Sequence, residues 1–523
     1  MAYLTVPIAA VSIEVARCQI KAAKAAGAEM LELRVDYLEN LTTGLVKKII
    51  SEAKSNTVSP MPVIVTCRDK RQGGWFEYPD RLRIEVLTEA LAAGADFIDF
   101  EYEKFLVEQN QQKLKQALLQ SPKAGLVISA HNFKTKFADI DQLYWDILRV
   151  YPNAIPKLVY TAGHINDCFE GFDLLHRTKG RRIVFCMGEA GFISRVIAKK
   201  LGSFVTFASI DDKTTTAPGQ LTIERFKKLF RADSINSETS LYGVIADPVA
   251  HSMSPAVHNT GFADMAANKV YLPLWVEGGK EQFDRFLDNI IAREWLGFAG
   301  FSVTIPHKQN ALAYVKARQG FVEPLAEKIG AVNTILIGAS GKLSTYNTDY
   351  SAALDAITSK MGVTRADLEG LTVAVIGAGG VARALVAGLT DAGAKIKIYN
   401  RTVEKAEKLA ADFNCEFGGL DELPKVNAKL LINCTSIGMH PDVEATPFPK
   451  QYLKNDMTVF DTVYNPVETL FLRQAKKTGA ETISGLEMFV NQALAQFRLF
   501  SGTDADAELV RRTVMKELNQ KRI

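Results

Sequence analysis

From Leu4 to about Phe230, short runs rich in β-branched and aromatic residues alternate with longer stretches whose apolar positions recur at helical spacing, the pattern of parallel strands joined by helices. The strand candidates are LTVPIAA from Leu4, MLELRVD from Met30, PVIVTCR from Pro62, FIDFEYE from Phe97, GLVISAH from Gly125, PKLVYTA from Pro156, RIVFCMG from Arg182 and FVTFASI from Phe204. Amphipathic stretches such as VARCQIKAAKAAG and LRIEVLTEALAAG lie between them, and both end on a glycine suited to stopping a helix. Eight such units within about 230 residues predict an α/β chain opening on a (β/α)8 barrel. An open doubly wound sheet is the alternative that the same pattern allows.

The polar, turn-rich RADSINSETS, residues 231–240, predicts an interdomain linker after a barrel at 1–230. Beyond it LYGVIA, VYLPLWV, FAGFSVTIP and VNTILIG predict a smaller α/β unit. LTVAVIGAGGVARALVAGL, from Leu371, then opens a strand, glycine turn and helix of nucleotide-binding type. IKIYNRT, KLLINCTSIGM and MTVFDTVYN supply further strands. The expected division is a small domain of 241–348 joined by the closing helices at 486–523, with a Rossmann-like domain at 349–485 between them.

Composition narrows the function. Among 523 residues, 62 basic side chains against 59 acidic ones leave a net charge of +3 with no basic cluster, which argues against nucleic acid and anionic membranes as partners. Six cysteines, Cys18, Cys67, Cys168, Cys186, Cys415 and Cys434, form no close-spaced metal or redox motif, so no metal site is expected and the thiols read as reduced. No apolar run is long enough to span a bilayer, and MAYLTVPIAAVS resembles neither a signal nor a transit peptide. The expected location is cytoplasmic, or the plastid stroma if a transit peptide has been removed; oligomeric state cannot be read from the sequence.

In a barrel the chemistry sits where the strands end, and polar residues converge there: Glu32, Arg34, Arg68, Glu101, His131, Lys157 and, beyond the seventh strand, Arg195. A lysine pointing into the barrel, at Lys157, has its charged form disfavoured by burial and neighbouring cations, and a neutral amine attacks a ketone. The resulting Schiff base acidifies the adjacent carbon. His131 is the natural base for that proton, its imidazolium the acid for a departing hydroxyl, and Glu101 the candidate to hold the ring. Such a set describes β-elimination of water, and the arginines suit a carboxylate-bearing, polyhydroxylated substrate. Taken singly, each residue also fits an ordinary strand-end charge.

ELRVD, CRDKRQGG, DFEYE, SAHNF, PKLVYTA, GFISR and TAPGQ make this half resemble the type I 3-dehydroquinate dehydratases. The resemblance implies Lys157 as the Schiff-base lysine, His131 as acid and base, Glu101 as the residue orienting it, and Arg195, Thr216 and Gln220 as substrate contacts, with TAPGQ on a closing loop. It also implies that Glu32, Arg34 and Arg68 line the pocket. Thr216 stands where many members have serine and Asn132 where many have aspartate.

In the second half VIGAGGVARA reads G-x-G-x-x-A through Gly377, Gly379 and Ala382. By itself the turn also suits flavin, another nucleotide, or no ligand. Where an NAD-binder usually carries an acid, this chain has Asn400, Arg401 and Thr402, with Lys405 nearby, which favours the 2′-phosphate of NADP. Lys308 and Asp349, sharing a polar cleft, can pass a proton to or from an alcohol without a metal; an ordinary ion pair is the other reading of the two. Ser252, Ser254, Thr304 and Asn333 suit a carboxylate and ring hydroxyls; His251, His258 and His307 are taken as structural.

HSMSPAVHN, FSVTIPHK, GAVNTI, YNTDY, VIGAGGVARA, YNRT, NCTSIGM, DTVYNP and SGLEMFVNQA make this half similar to shikimate dehydrogenases. The resemblance implies Lys308 and Asp349 as catalytic and Ser252, Ser254, Thr304, Asn333, Tyr464 and Gln492 as substrate-side. It further implies Gly380 and Thr435 as cofactor contacts and Met488 beside the nicotinamide. Tyr-Ser-Ala after Asp349 replaces a glycine-containing run common in the family. Together the halves resemble a bifunctional shikimate-pathway fusion with NADP as cofactor and small molecules as partners. A quinate-preferring version and a regulatory protein built from retired enzyme domains are the rivals; the presence of Lys157, His131, Lys308 and Asp349 argues against the second.

Overall fold

The computed structural model describes residues 2–55, 61–216 and 219–520. They form two compact units, Met1–Ser240 with Asn268–Glu277 and Arg285–Ala292, and Leu241–Ala267 with Gly278–Asp284 and Arg293–Ile523. In the polar segment 231–240, Ala232, Ile235 and Thr239 are buried.

Strands β1 (Tyr3–Ile8), β2 (Met30–Arg34), β3 (Val63–Thr66), β4 (Phe97–Glu101), β5 (Gly125–Asn132), β6 (Ile155–Thr161), β7 (Ile183–Met187) and β8 (Val205–Phe207) follow the eight apolar runs of the sequence. They are parallel throughout, in the order β7-β6-β5-β4-β3-β2-β1-β8, which is the ring of a (β/α)8 barrel. Phe185 of β7 meets Phe207 of β8 across the seam, ring centroids 5.6 Å apart.

The alternation of side chains along each strand builds the site. Met30, Ile64, Phe97, Val127, Ile155 and Ile183, at or near the starts of their strands, lie inside one apolar cluster. Two residues on, with the side-chain period of a strand, the same inner faces present Glu32, Thr66, Asp99, Ser129 and Lys157, and two further they present Arg34, Arg68, Glu101 and His131. The interior thus changes from apolar floor to ionised layer within four residues, and Phe185 and Phe207 keep one side of that layer apolar.

After the barrel strands, β9 (Ser240–Ala246), β10 (Lys269–Trp275), β11 (Phe298–Val303), β12 (Phe321–Val322), β13 (Thr334–Ile337) and β14 (Leu343–Tyr346) form a mixed sheet ordered β10-β9-β11-β13-β14-β12. Helices Gly485–Ser501 and Ala507–Gln520 return to pack on Ser254–Asp264 through Val257, Val490, Ala493 and Val514. Gln496 accepts from Ser302 at 2.7 Å and donates to the Asn333 carbonyl at 3.0 Å, fixing the long helix to β11.

Strands β15 (Thr372–Ile376), β16 (Lys395–Tyr399), β17 (Glu416–Gly418), β18 (Leu430–Asn433), β19 (Thr458–Asp461) and β20 (Glu481–Ser484) form a second parallel sheet, ordered β17-β16-β15-β18-β19-β20. Numbered within the domain this is 3-2-1-4-5-6, the Rossmann order, whose topological switch falls between β15 and β18. No helix among the described residues is long and apolar enough to cross a membrane.

Candidate active sites

One pocket at the barrel mouth is lined by Glu32, Arg34, Arg68, His131, Lys157, Arg195, Thr216 and Gln220, together with Gln72, Gly73, Phe133, Phe185 and Phe207. Lys157, 5% exposed, stands 4.8 Å from the centre of the Phe207 ring. Its Nζ donates to Asp99 Oδ2 at 2.8 Å and to Glu32 Oε1 at 3.5 Å. Two carboxylates, each two residues below the end of its strand, are therefore the charged groups in direct contact with this amine. Burial alone would raise the Asp99 carboxyl, but Arg68 and Lys157 hold it well below the usual carboxylate range.

His131 Nδ1 lies 3.1 Å from Gln72 Oε1, and its ring stacks on Phe133. Burial, reinforced by the charges of Arg68 and Lys157, pushes the imidazole well below its usual range, so the resting ring is neutral. Glu101, expected to orient this ring, is engaged elsewhere. Its Oε1 accepts from Arg68 and from the Asp69 backbone, each at 3.0 Å, and its Oε2 accepts from Arg83. Arg83 projects from helix Asp80–Ala92 and is buried beside Phe100, so the contact that engages Glu101 comes from a helix residue rather than from the strand ends. Gln72, Asp99 and Phe133 are the residues the sequence reading missed. All three lie inside the quoted segments CRDKRQGG, DFEYE and SAHNF, and the inward parity of β4 was the one available signal, for Asp99.

The arginines divide by what they already hold. Arg68 donates to Asp99 at 2.7 Å, Glu101 at 3.0 Å and Ser129 at 2.6 Å. Arg34 grips Asp36 with two hydrogen bonds and also donates to the Gly73 carbonyl. Arg195, buried over the Phe185 ring at 4.7 Å, is drawn down to about 10 by burial. Thr216 donates to Gln220 Oε1 through its backbone N–H at 2.8 Å and its hydroxyl at 3.2 Å, and Ala217 and Pro218 of the expected closing loop lie outside the described residues. Asn132 caps the turn after β5, its Oδ1 accepting from the N–H groups of Lys134 and Thr135, and makes no hydrogen bond to His131 among the described residues.

In the second unit Lys308 Nζ donates to Asp349 Oδ2 at 2.6 Å. Asn333 Nδ2 donates to Asp349 Oδ1 at 2.9 Å and to Thr348 at 2.9 Å, while its Oδ1 accepts from the Thr348 N–H. The carboxylate is therefore fixed on one oxygen and shares a proton donor on the other. Asn347 caps helix Thr348–Met361, which places Asp349 in its first turn. Ser252 and Ser254 mark the start of helix Ser254–Asp264, with the Ser254 N–H donating to Ser252 Oγ at 3.3 Å. Gln492 and Met488 ride on helix Gly485–Ser501, and Tyr464 is 39% exposed against Phe489. No hydrogen bond joins Ser252, Ser254, Thr304, Gln492 or Tyr464 to the Lys308–Asp349 pair among the described residues. His258 and His307 are buried against phenylalanine rings, His307 stacking on Phe283.

The glycine turn fits a dinucleotide. Gly377 has φ +112°, which favours glycine, and a Cβ there would lie 3.0 Å from the Cys434 carbonyl, so the ends of β15 and β18 leave little room for a side chain. Gly379 and Gly380, at the start of helix Gly380–Asp391, face open space, and that helix has no acid in its first turn to oppose a phosphate. Ala382 is fully buried on the helix. Thr435, beyond β18, is oriented by Asn433 at 2.7 Å. Arg401, Thr402 and Lys405 stand exposed just past β16, where Asn400 Nδ2 holds the Thr402 carbonyl at 2.8 Å.

Comparison with known proteins covers both halves. Residues 4–237 match the type I 3-dehydroquinase family. Residues 244–335 match the shikimate dehydrogenase substrate binding domain, 359–446 the shikimate/quinate 5-dehydrogenase family and 485–515 the shikimate 5'-dehydrogenase C-terminal domain. The chain is 37% identical to the chloroplastic bifunctional 3-dehydroquinate dehydratase/shikimate dehydrogenase of Arabidopsis thaliana over 96% of its own length and 82% of that protein's. It is 39% identical to the shikimate dehydrogenase (NADP(+)) of Methanosarcina barkeri over 53% of this chain and 98% of that one. Among solved structures, a Thermus thermophilus shikimate 5-dehydrogenase in complex with NADP(H) and shikimate is 32% identical over 53% of this chain and 99% of that chain, with a TM-score of 0.47. With one relative matched along nearly the whole chain and family models matched on both sides of residue 240, the chain belongs to the family of bifunctional 3-dehydroquinate dehydratase/shikimate dehydrogenases.

Proposed function

We propose that the barrel, residues 1–230, dehydrates 3-dehydroquinate through Lys157, and that the remainder reduces the 3-dehydroshikimate so formed to shikimate with NADPH. The observation that carries the first step is a buried lysine and a neutral histidine facing one pocket. Lys157, having passed its proton to a neighbouring base, attacks the ketone, and the carbonyl oxygen leaves as water with that proton and one from the amine, giving a cationic iminium. His131 takes the proton from the carbon beside the imine, the electrons run into the nitrogen, and the imidazolium returns the proton to the departing hydroxyl. Hydrolysis then frees the product and the lysine. Arg195 is assigned to the substrate carboxylate, with Thr216 and Gln220 closing over it.

In the second unit, 241–348 with 486–523 is assigned to substrate and 349–485 to NADP, across the switch point of the parallel sheet. Bound at Gly377, Gly379, Gly380, Asn400, Arg401, Thr402, Lys405 and Thr435, the cofactor supplies a hydride. Lys308 and Asp349 give the proton to the alkoxide oxygen, and Asn333 keeps the carboxylate aimed. Ser252, Ser254, Thr304, Tyr464 and Gln492 are assigned to the substrate, and Met488 to the nicotinamide side. The soluble chemistry suits the cytoplasm or a plastid stroma.

Separate variants test the division. Lys157→Ala is expected to lower dehydration by at least about 10⁴-fold while leaving shikimate oxidation within twofold, and Lys308→Ala the reverse with a loss of about 10²–10⁴-fold. Both activities falling together in either variant would contradict it.

A further inference from the structure

Asp36 lies outside every catalytic or binding assignment made above, yet it is fully buried at the barrel mouth. Its two carboxylate oxygens accept from Arg34 Nε at 2.9 Å and Nη2 at 2.8 Å. Oδ2 also accepts from the Trp75 backbone N–H at 3.1 Å, and the Asp36 carbonyl accepts from the Phe76 N–H at 3.1 Å. Arg34 extends the grip to the Gly73 carbonyl at 3.1 Å, and Trp75 stacks on Tyr37 with ring centroids 5.2 Å apart. The contacts to Gly73, Trp75 and Phe76 all land on the turn after β3, the turn that carries Gln72 to His131, while the two from Arg34 tie Asp36 to the end of β2. That turn has little slack. Gly73 adopts φ +85° with Phe133 so close that a Cβ would lie 2.9 Å from its Cζ, and Phe133 is the ring stacked on His131.

We propose that Asp36 is a positioning residue for the dehydration: clamped to Arg34, it fixes the 69–76 turn so that Gln72 holds His131 in the orientation that moves the proton. This rests on His131 as the acid and base. Asp36 touches no reacting atom; it acts through Gln72. The two carboxylate oxygens make three hydrogen bonds to donors on two different segments, and an amide in their place offers one acceptor oxygen and turns an N–H toward a donor. The turn then relaxes, and displacement of a catalytic group by about 1 Å is enough to cost about 10²-fold in rate.

The test is a double-mutant cycle in the full chain, with shikimate oxidation by the same sample as the standard of protein concentration. Asp36→Asn is expected to lower kcat for dehydration by about 10–100-fold with KM for 3-dehydroquinate changed less than about threefold. In a Gln72→Ala background the same substitution is expected to change kcat by less than about threefold, because its effect is already spent. Losses that multiply in the double variant, a rise in KM at constant kcat, or full activity in Asp36→Asn would each overturn the proposal. If Gln72→Ala itself leaves kcat and the pH profile unaltered, the role of Gln72 beside His131 is what fails; if it slows the reaction and Asp36→Asn does not, the Asp36 proposal alone fails. Should Asp36→Asn not give a folded barrel, Asp36→Glu, which keeps the charge but shifts it by one methylene, enters the same cycle with the same expected pattern.

Discussion

A neutral imidazole beside a cationic cluster has a consequence that titration exposes. Because burial, Arg68 and Lys157 all disfavour its charged form, His131 in the free enzyme takes up a proton only below about 6.5, the ordinary histidine value. The kcat/KM for dehydration is therefore expected to stay level from about pH 7.5 to 6.5 and to fall only below that. An acidic limb centred at or above 6.5 would show that the ring is not shielded. The same depression acts on stability: the unfolded chain binds this proton first, so the barrel loses stability as pH drops through about 6.5 towards the lower value of the folded ring. At Gly377 the prediction is steric. Gly377→Ala forces a strained backbone and pushes on the Cys434 carbonyl, so KM for NADPH should rise by about 10-fold or more while dehydration is unaffected. Lys157 was legible in the sequence because strand alternation alone points it inward. Gln72 was not, because its partner lies 59 residues further along the chain and only the folded turn joins them.

At the scale of elements, helix Asp80–Ala92 is fastened to the barrel wall near the first site through Arg83. Arg83 donates to Glu101, to the Cys67 carbonyl at 2.9 Å and to Asp80 at 3.0 Å while fully buried. Arg83→Met keeps the stem and removes the charge, leaving Glu101 short of a partner, and is expected to lower stability by about 3 kcal/mol in chemical denaturation of the barrel. Past β16, exposed Arg401 is the element-end charge that should select the 2′-phosphate. Arg401→Ala is expected to reduce the preference for NADPH over NADH by about 10–100-fold, read as the ratio of kcat/KM values, and an unchanged ratio would place the selectivity elsewhere. The eight barrel strands were readable because each is buried on both faces over most of its length and so appears as a short, mainly apolar run, broken only by the polar residues that face the site. β17 and β20 escaped for the opposite reason: they are short edge strands with one fully buried residue each, too few positions in EFG or ETIS to set up a readable pattern.

For the whole molecule, two compact units with separate cores predict two unfolding transitions rather than one. NADPH at about 100 times its Kd should stabilise by about 2.7 kcal/mol the transition in which shikimate oxidation is lost, leaving the other in place. The order of the two enzymes was plain from the sequence because the signature segments of each family fall entirely on one side of residue 240. The internal wiring of each site was less plain, since an ion network such as Arg68, Asp99, Glu101 and Arg83 assigns its members by contact and not by spacing. The claim that matters most is the covalent one. Borohydride reduction of the enzyme with 3-dehydroquinate, followed by mass mapping of peptides, should place one reduced adduct on the peptide containing Lys157; an adduct on any other lysine, or full dehydration with no adduct formed, would contradict it.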